Sequence, residues 1–385
     1  MSEPHVRRFR RKKPVPKRII DVVADFVCSS VNPTYNQAYR QWRANSKAPC
    51  MYRFRENTEE RVFVSGKAVE PPSAARAETQ ALTRSSERIG AALLLFLAVG
   101  IGSELLMTAI FRAFGSDARF DLFSLSPSGS QPVVTLILCI ASLLKYGVPI
   151  LFLCRTCKLP PRVLFPVSVG GFPELIAAFG FGMITASVYA LTSADESVRT
   201  AQRLFEYSDS ADGLAFALYG AFEMLAVSLL AELFLRGAVL PVLRQFGDSF
   251  AVACTAAAAF FFPNPLHGRI CELLLGLFCG YLLLQSGSLL KCVLVRMVYV
   301  ALEFAMLILV YAAGRMPLWQ YALLLLTVGL VLLSFYARIR RDRLLLQNRH
   351  TQLSDARKTA CVLQAPTVLP WAAISLLFTV LQLFR

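Results

Sequence analysis

The stretch Ala231-Glu232-Leu233-Phe234-Leu235-Arg236-Gly237 sets an acid and a base four residues apart inside a long apolar run. Four residues are about one helical turn, so Glu232 and Arg236 share a face, in the favourable order with the acid nearer the N-terminus. Ionisable groups in such a run are costly and mark function by default when the run crosses a membrane. The bland alternative is a structural ion pair that orients the helix. Thirty-five residues past Glu232 stands His267, and Arg296 follows in another apolar run. The other two histidines, His5 and His350, lie in polar segments. The segment from Glu223 to Val300, which holds these groups, is the centre of the chain.

Composition decides what kind of run this is. Of 385 residues, 56% are hydrophobic and 17% charged, with a mean hydropathy of +0.53. A soluble domain carries about a quarter charged residues. Nine apolar segments are read at roughly 90–114, 132–154, 171–193, 213–243, 249–266, 270–285, 289–313, 317–337 and 366–384. Many approach the ~20 residues that cross a bilayer as a helix. They are continuous and Leu/Ala-rich rather than alternating, which excludes a transmembrane barrel. The expected fold is all-α: a polytopic transmembrane helical bundle of about 8–9 spans, residues 89–385, behind an extension at 1–88.

The net charge of +15 is unevenly spread. Residues 1–88 hold 18 Lys/Arg against 9 Asp/Glu, and Arg338 to Lys358 hold seven Lys/Arg against two Asp. Basic flanks stay on the cytoplasmic side of a membrane protein. A cytoplasmic N-terminus puts Arg155, Lys158, Arg162, Arg244, Lys291 and a basic loop at about 338–363 on that side. It puts Asp117, Asp121, Asp195, Glu196, Glu206, Asp209 and Asp212 opposite. One orientation with an odd number of spans fits both sets. Membrane lipids are therefore the first expected partner of the basic extension, and no nucleic-acid-binding motif accompanies the charge.

Within the extension, Ile19, Val22, Val23, Phe26 and Val27 fall on one face of a short amphipathic helix. Met51–Arg55 and Arg61–Val64 are spaced to pair as a hairpin, and Pro71-Pro72-Ser73 is a linker signal. No secretory leader is read at the start of the sequence. Ten cysteines are scattered, and only Cys154 and Cys157 form a C-x-x-C, with no second pair to complete a zinc site. Reversible palmitoylation, a redox or metal role, and simple apolar packing are the three readings of that pair.

Around the central motif the chain supplies further signals. The fifth segment breaks at Pro263-Asn264-Pro265, where lost amide donors free carbonyls that must find partners. Gly276-x-x-x-Gly280 is a small-residue face for close helix approach. Gln285-Ser286-Gly287-Ser288 is a turn, with Ser288 placed to cap the next helix. Arg296 and Glu303, seven residues apart, share a face of that helix, so Arg296 has Glu303, Glu232 or a lipid phosphate as possible counter-charges. Glu104, Lys145, Glu174, Glu223, Glu272 and Glu303 read as span ends or interhelical pairs.

In order and spacing these pieces resemble the CPBP intramembrane proteases, the family of the CAAX prenyl endopeptidases and the bacterial Abi-type and lysostaphin-resistance proteins. The family pattern is E-E-x-x-x-R in one span, F-x-x-x-H in the next, and H-x-x-x-N two spans further on. The resemblance covers about residues 213–310. It is carried by Glu232 to Gly237, by Leu240-Pro-Val-Leu-Arg-Gln-Phe-Gly247, by His267, and by Gly276-x-x-x-Gly-Tyr-Leu-Leu-Leu-Gln-Ser-Gly-Ser-Leu289. The family comparison implies that the first acid of the pair activates a water for attack on a peptide carbonyl. The histidines hold that water or a metal, and the Asn stabilises the oxyanion. Active members remove the last three residues of prenylated proteins.

This chain departs from the pattern at each of those roles. The first acid is Ala231, the motif phenylalanine is Pro263, the second histidine is Arg296 and the Asn is Val300. An arginine stays protonated and offers no lone pair to a metal or water. What survives as motif remnants is Glu232 and His267, with Arg236 and Arg296 as structural, site-lining residues. The expectation is a catalytically inactive pseudoenzyme serving as a membrane scaffold or binding protein, its Arg296 paired with Glu232 in the old site. No metal or other cofactor is expected; a divalent metal would enter only with activity. A prenylated protein or another membrane protein is the expected partner. The endoplasmic reticulum is the favoured location, with the mitochondrial inner membrane as the alternative. Two alternatives stand beside this: an active endopeptidase using Glu232 and His267, and a carrier or channel-like subunit lined by Lys145, Glu223, Glu232 and Arg296.

Overall fold

The computed structural model describes residues 30–45, 74–121, 126–168, 171–193, 210–262, 266–313, 318–341, 346 and 353–383. Helix α1 (Pro33–Asn45) precedes α2 (Ala74–Ala113), α3 (Gln131–Cys157) and α4 (Phe172–Thr192). The span that carries the central motif, α5, covers Gly213–Phe246. It is followed by α6 (Asp248–Phe260), α7 (Leu266–Ser286) and α8 (Leu289–Ala313). The order ends with α9 (Leu318–Ile339), α10 (Asp355–Leu363) and α11 (Val368–Leu383). Between α2 and α3, strands Arg119–Asp121 and Ser126–Ser128 pair antiparallel.

Among the described residues, seven helices (α2, α3, α4, α5, α7, α8 and α9) are long and apolar enough to cross a membrane. The pair α10–α11, bent by 77°, makes an eighth if it is one span. The protein is an integral, multi-pass membrane protein with a helical bundle. Two of the nine apolar segments fall short of a span by themselves. Segment 249–266 yields α6, only 13 residues long, which is about 20 Å of helix against a hydrocarbon core of about 30 Å. Segment 366–384 yields the 16-residue α11. The expected amphipathic helix at 19–31, hairpin at 51–64, Pro71–Ser73 linker, Pro263–Pro265 break and the acids from Asp195 to Asp209 lie wholly or mainly outside the described residues. The outer face of α9 exposes Leu324 by 61% and Val331 by 62%, beside Leu323, Leu330 and Phe335. So large an apolar face is at home against lipid tails rather than water.

Helix α2 starts at Ala74, so residues 74–88 continue the first span instead of linking to it. Its 40 residues correspond to about 60 Å of helix, and the excess is tied to neighbouring elements. Arg88 donates to the Thr156 carbonyl at 2.6 Å, Thr367 donates to the Glu87 carbonyl at 2.7 Å, and Glu78 accepts from the Leu353 amide at 3.3 Å. Deeper in the bundle, Phe96 of α2 stacks on Phe262 at 4.5 Å and on Phe234 of α5 at 5.7 Å, with Tyr146 edge-on at 5.1 Å.

The glycine face of α7 meets α6. A Cβ on Gly276 would stand 2.5 Å from the Ala256 Cα, and one on Gly280 would stand 3.0 Å from Val252. Such contacts let two backbones approach where lipid supplies no hydrophobic drive between helices. Gly276→Ala is therefore expected to force α6 and α7 apart at a cost of about 1–3 kcal/mol. Gly102→Ala, where nothing among the described residues lies within 4 Å of the added Cβ, is expected to be close to neutral. Thermal unfolding of both variants in one detergent checks the contrast.

Candidate functional site

Helix α5 does not wind uniformly. Glu223–Val227 and Leu233–Val239 take the wider π-helical repeat on either side of the α-helical turn Ser228–Glu232. Departures of this kind concentrate at functional sites. Gly237 lies within the second π stretch, where a Cβ would overlap the Leu164 carbonyl. Ala231, Glu232 and Arg236 are all buried.

Three helices bring their charges to one point. From α8, the Arg296 Nε donates to Glu232 Oε1 of α5 at 2.9 Å. Its two terminal nitrogens donate to Glu272 of α7, Nη1 to Oε1 at 2.6 Å and Nη2 to Oε2 at 2.7 Å. This is the bidentate fork that suits a guanidinium and a carboxylate. Arg236 Nε stands 3.3 Å from Glu232 Oε2, and Arg236 Nη2 donates to the Leu275 carbonyl at 2.9 Å. The Arg236–Glu232 contact is electrostatic only, because its geometry does not meet that of a hydrogen bond and leaves both atoms without one. The result is an alternating chain, Arg236–Glu232–Arg296–Glu272, with two positive and two negative groups and no net charge.

Glu232 thus faces a guanidinium at each oxygen. Freeing it to take a proton from water would leave Arg236 without its counter-charge and Arg296 with Glu272 alone, a cost of several kcal/mol for the buried charge left over. Ala231 has no polar atom to offer in its place, and Val300 packs at the edge of the core. His267 is half-buried, with its ring edge-on to Tyr189 at 5.4 Å; Tyr189 in turn meets Tyr299 at 6.0 Å. The structure therefore brings together Glu232, Arg236 and Arg296, and places His267 in an aromatic setting on α7. Among the described residues no group of three or more His, Cys, Asp or Glu is placed to hold a metal ion.

Glu272 is the member that sequence reasoning left among the generic interhelical acids. A charge count holds the signal: Glu232, Arg236 and Arg296 alone leave one positive charge, which a bundle interior must offset. Glu303, the acid that shares the Arg296 face, instead has the Tyr189 and Tyr299 hydroxyls beside it. Outside the quartet, the Lys145 ammonium lies 4.7 Å from the centre of the Phe96 ring, and Tyr219 donates to Glu223 at 2.7 Å.

A polytopic bundle with paired charges on three neighbouring spans defines the class as an intramembrane helical protein with a buried polar site. Residues 213–302, from α5 into α8, match the family model described as type II CAAX prenyl endopeptidase Rce1-like. This agrees with the CPBP resemblance, and the matched stretch contains the whole quartet. No curated protein and no solved structure matches the chain.

If the quartet is one energetic unit, removing its central cation should cost more than removing a neutral pair. Arg296→Met is expected to destabilise by about 3–5 kcal/mol, as for breaking one partner of a buried ion pair. Arg296→Met combined with Glu272→Gln should lose less, since Glu232 keeps Arg236. Equal losses in the two variants, read by thermal unfolding in detergent, would show that the charges are not coupled.

Proposed function

We propose that this Rce1-like membrane protein is catalytically silent and retains the protease-type bundle as a scaffold or binding protein. The observation that carries the reading is the capture of Glu232 by Arg296, at the place where the family pattern has a histidine. With Arg296 on one oxygen and Arg236 on the other, the surviving acid serves as a counter-ion. Ala231 and Val300 supply neither a second base nor an amide for an oxyanion.

The partner class follows from the fold's family. The bundle is read as taking up a prenylated protein tail or another membrane protein without cutting it. Basic residues at the ends of α3, α5 and α9 and at the start of α8 support an orientation with that end, and the N-terminus, in the cytoplasm. Membrane lipids are the natural partner of the basic extension and of the exposed members of this set, Arg155, Lys158 and Arg338; Arg244 and Lys291 are buried against Asp248 and Glu174. The endoplasmic reticulum remains the favoured membrane, and tagged localisation separates it from the mitochondrial inner membrane.

The decisive measurement is incubation of the purified protein with a prenylated CAAX peptide. The expected outcome is no release of the terminal tripeptide, with the peptide raising the melting temperature in a concentration-dependent manner. Turnover that disappears in Glu232→Ala would overturn the reading in favour of an active endopeptidase.

A further inference from the structure

Helix α1 lies outside the span bundle, yet its buried face is fixed to the ends of three spans. The Val31 amide donates to the Gln285 carbonyl at 3.0 Å, and Asn32 Nδ2 donates to the Gly287 carbonyl at 2.7 Å. Tyr39 OH donates to the Pro241 carbonyl at 3.0 Å, and Trp42 Nε1 to the Cys157 carbonyl at 3.3 Å. Cys157 is the last residue of α3, Pro241 lies near the end of α5, and Gln285 and Gly287 bracket the end of α7. Helix C-termini leave carbonyl groups that the helix itself cannot satisfy. Here a separate segment supplies donors to the ends of α3, α5 and α7.

The fit is specific at two further points. Gly287 has a φ of +63°, and a Cβ there would lie 2.6 Å from the Asn32 Cβ, so glycine both permits the turn and makes room for the segment. Asn32 also caps α1, its Oδ1 accepting from the Thr34 and Tyr35 amides at 3.1 and 3.3 Å, which orients its amide group toward Gly287. On the α5 side the rings of Tyr39 and Tyr35 cover the buried Arg244 guanidinium at 5.0 and 5.7 Å. That guanidinium is itself held by Asp248 at 2.9 Å.

The turn that Val31 and Asn32 grip at the start of α1 includes Gly287-Ser288, the whole connection between the helix of Glu272 and the helix of Arg296. Arg296 lies seven residues beyond Leu289, about 10 Å along the axis. We infer that residues 30–45 are a conformational latch: docked, they fix the α7–α8 turn and close that end of the bundle over the quartet; released, they loosen it. These four donors are neutral groups whose hydrogen bonds water can replace at the surface. Arg244 keeps Asp248 after the tyrosine rings leave.

Hydrogen exchange on the full chain in detergent micelles tests this. The comparison is between the unmodified protein, Tyr39→Ala/Trp42→Ala, and a chain with a specific protease site placed between residues 46 and 73 and cut after purification. Amides from residue 285 to 289 are expected to exchange at least ten-fold faster in the double variant or in the cut chain. Amides of α9, which α1 does not touch through any of these bonds, should keep their rate. Unchanged exchange at 285–289 in both preparations overturns the latch, as does a rise spread equally over α9, which would signal general loss of stability. Asn32→Asp provides a second check, because it keeps the capping oxygen and replaces the donor to Gly287 by a carboxylate oxygen that cannot donate to that carbonyl. A rise at 285–289 without loss of protection in α1 is expected, and no rise there counts against the tie.

Discussion

One guanidinium shared by two carboxylates from different helices is the interaction on which this fold turns. Arg296 cannot shed its charge, and taking it out of water costs several kcal/mol unless well-placed anions offset it. Glu232 on one side and the Glu272 fork on the other supply two such anions, at 2.9 Å and at 2.6–2.7 Å. Since the three residues belong to α5, α8 and α7, meeting this requirement fixes the relative depth and rotation of all three spans. A shift of one helix by a single turn would strand at least two charges.

Such alignment requires the backbones to come close, and small residues make that possible around the quartet. Gly276 and Gly280 admit α6 against α7. On the far side of α8, a Cβ at Gly182 of α4 would stand 2.7 Å from Val298, two residues from Arg296. Gly180 of α4 and Gly329 of α9 face each other's carbonyls at 3.1 and 3.0 Å, measured from the Cβ each lacks. Between helices bathed in lipid, close van der Waals packing takes over the role that hydrophobic burial plays in water. At the turn end, Glu174 of α4 accepts from Lys291 of α8 and from Arg340 beyond α9, a second tie across the same helices.

How much of this could be read beforehand follows from the length scale of each signal. Long Leu/Ala-rich runs specify spans almost by themselves, so most span ends agree with the apolar segments to within a few residues. Glu232 and Arg236 were legible because one helical turn links them, and their meeting with Arg296 because a buried arginine demands an acid. Glu272 was hidden: its partner lies 24 residues away on another helix, and nothing local distinguishes it from Glu303. The π-helical turns of α5 leave no composition mark. Helix α1 was legible in principle, since Tyr35, Tyr39 and Trp42 recur at i, i+4 and i+7 behind an Asn32-Pro33 start. The basic charge around it masked that stripe, because a charged extension reads as solvated.

A neutral quartet is still not an inert plug. Among the described residues Arg236 Nη1 has no hydrogen-bond partner, and Glu232 Oε2 and Arg236 Nε face each other without forming a hydrogen bond. Replacing the four charges by hydrocarbon would remove these unsatisfied groups and their desolvation cost, and buried ion pairs often lose nothing by such exchange. Keeping them retains unused donors and an acceptor inside the membrane, beside a second set of polar groups at Lys145, Glu223 and Tyr219. Under the binding role proposed above, that capacity is what would meet a polar or ionised group carried into the bilayer by an apolar chain.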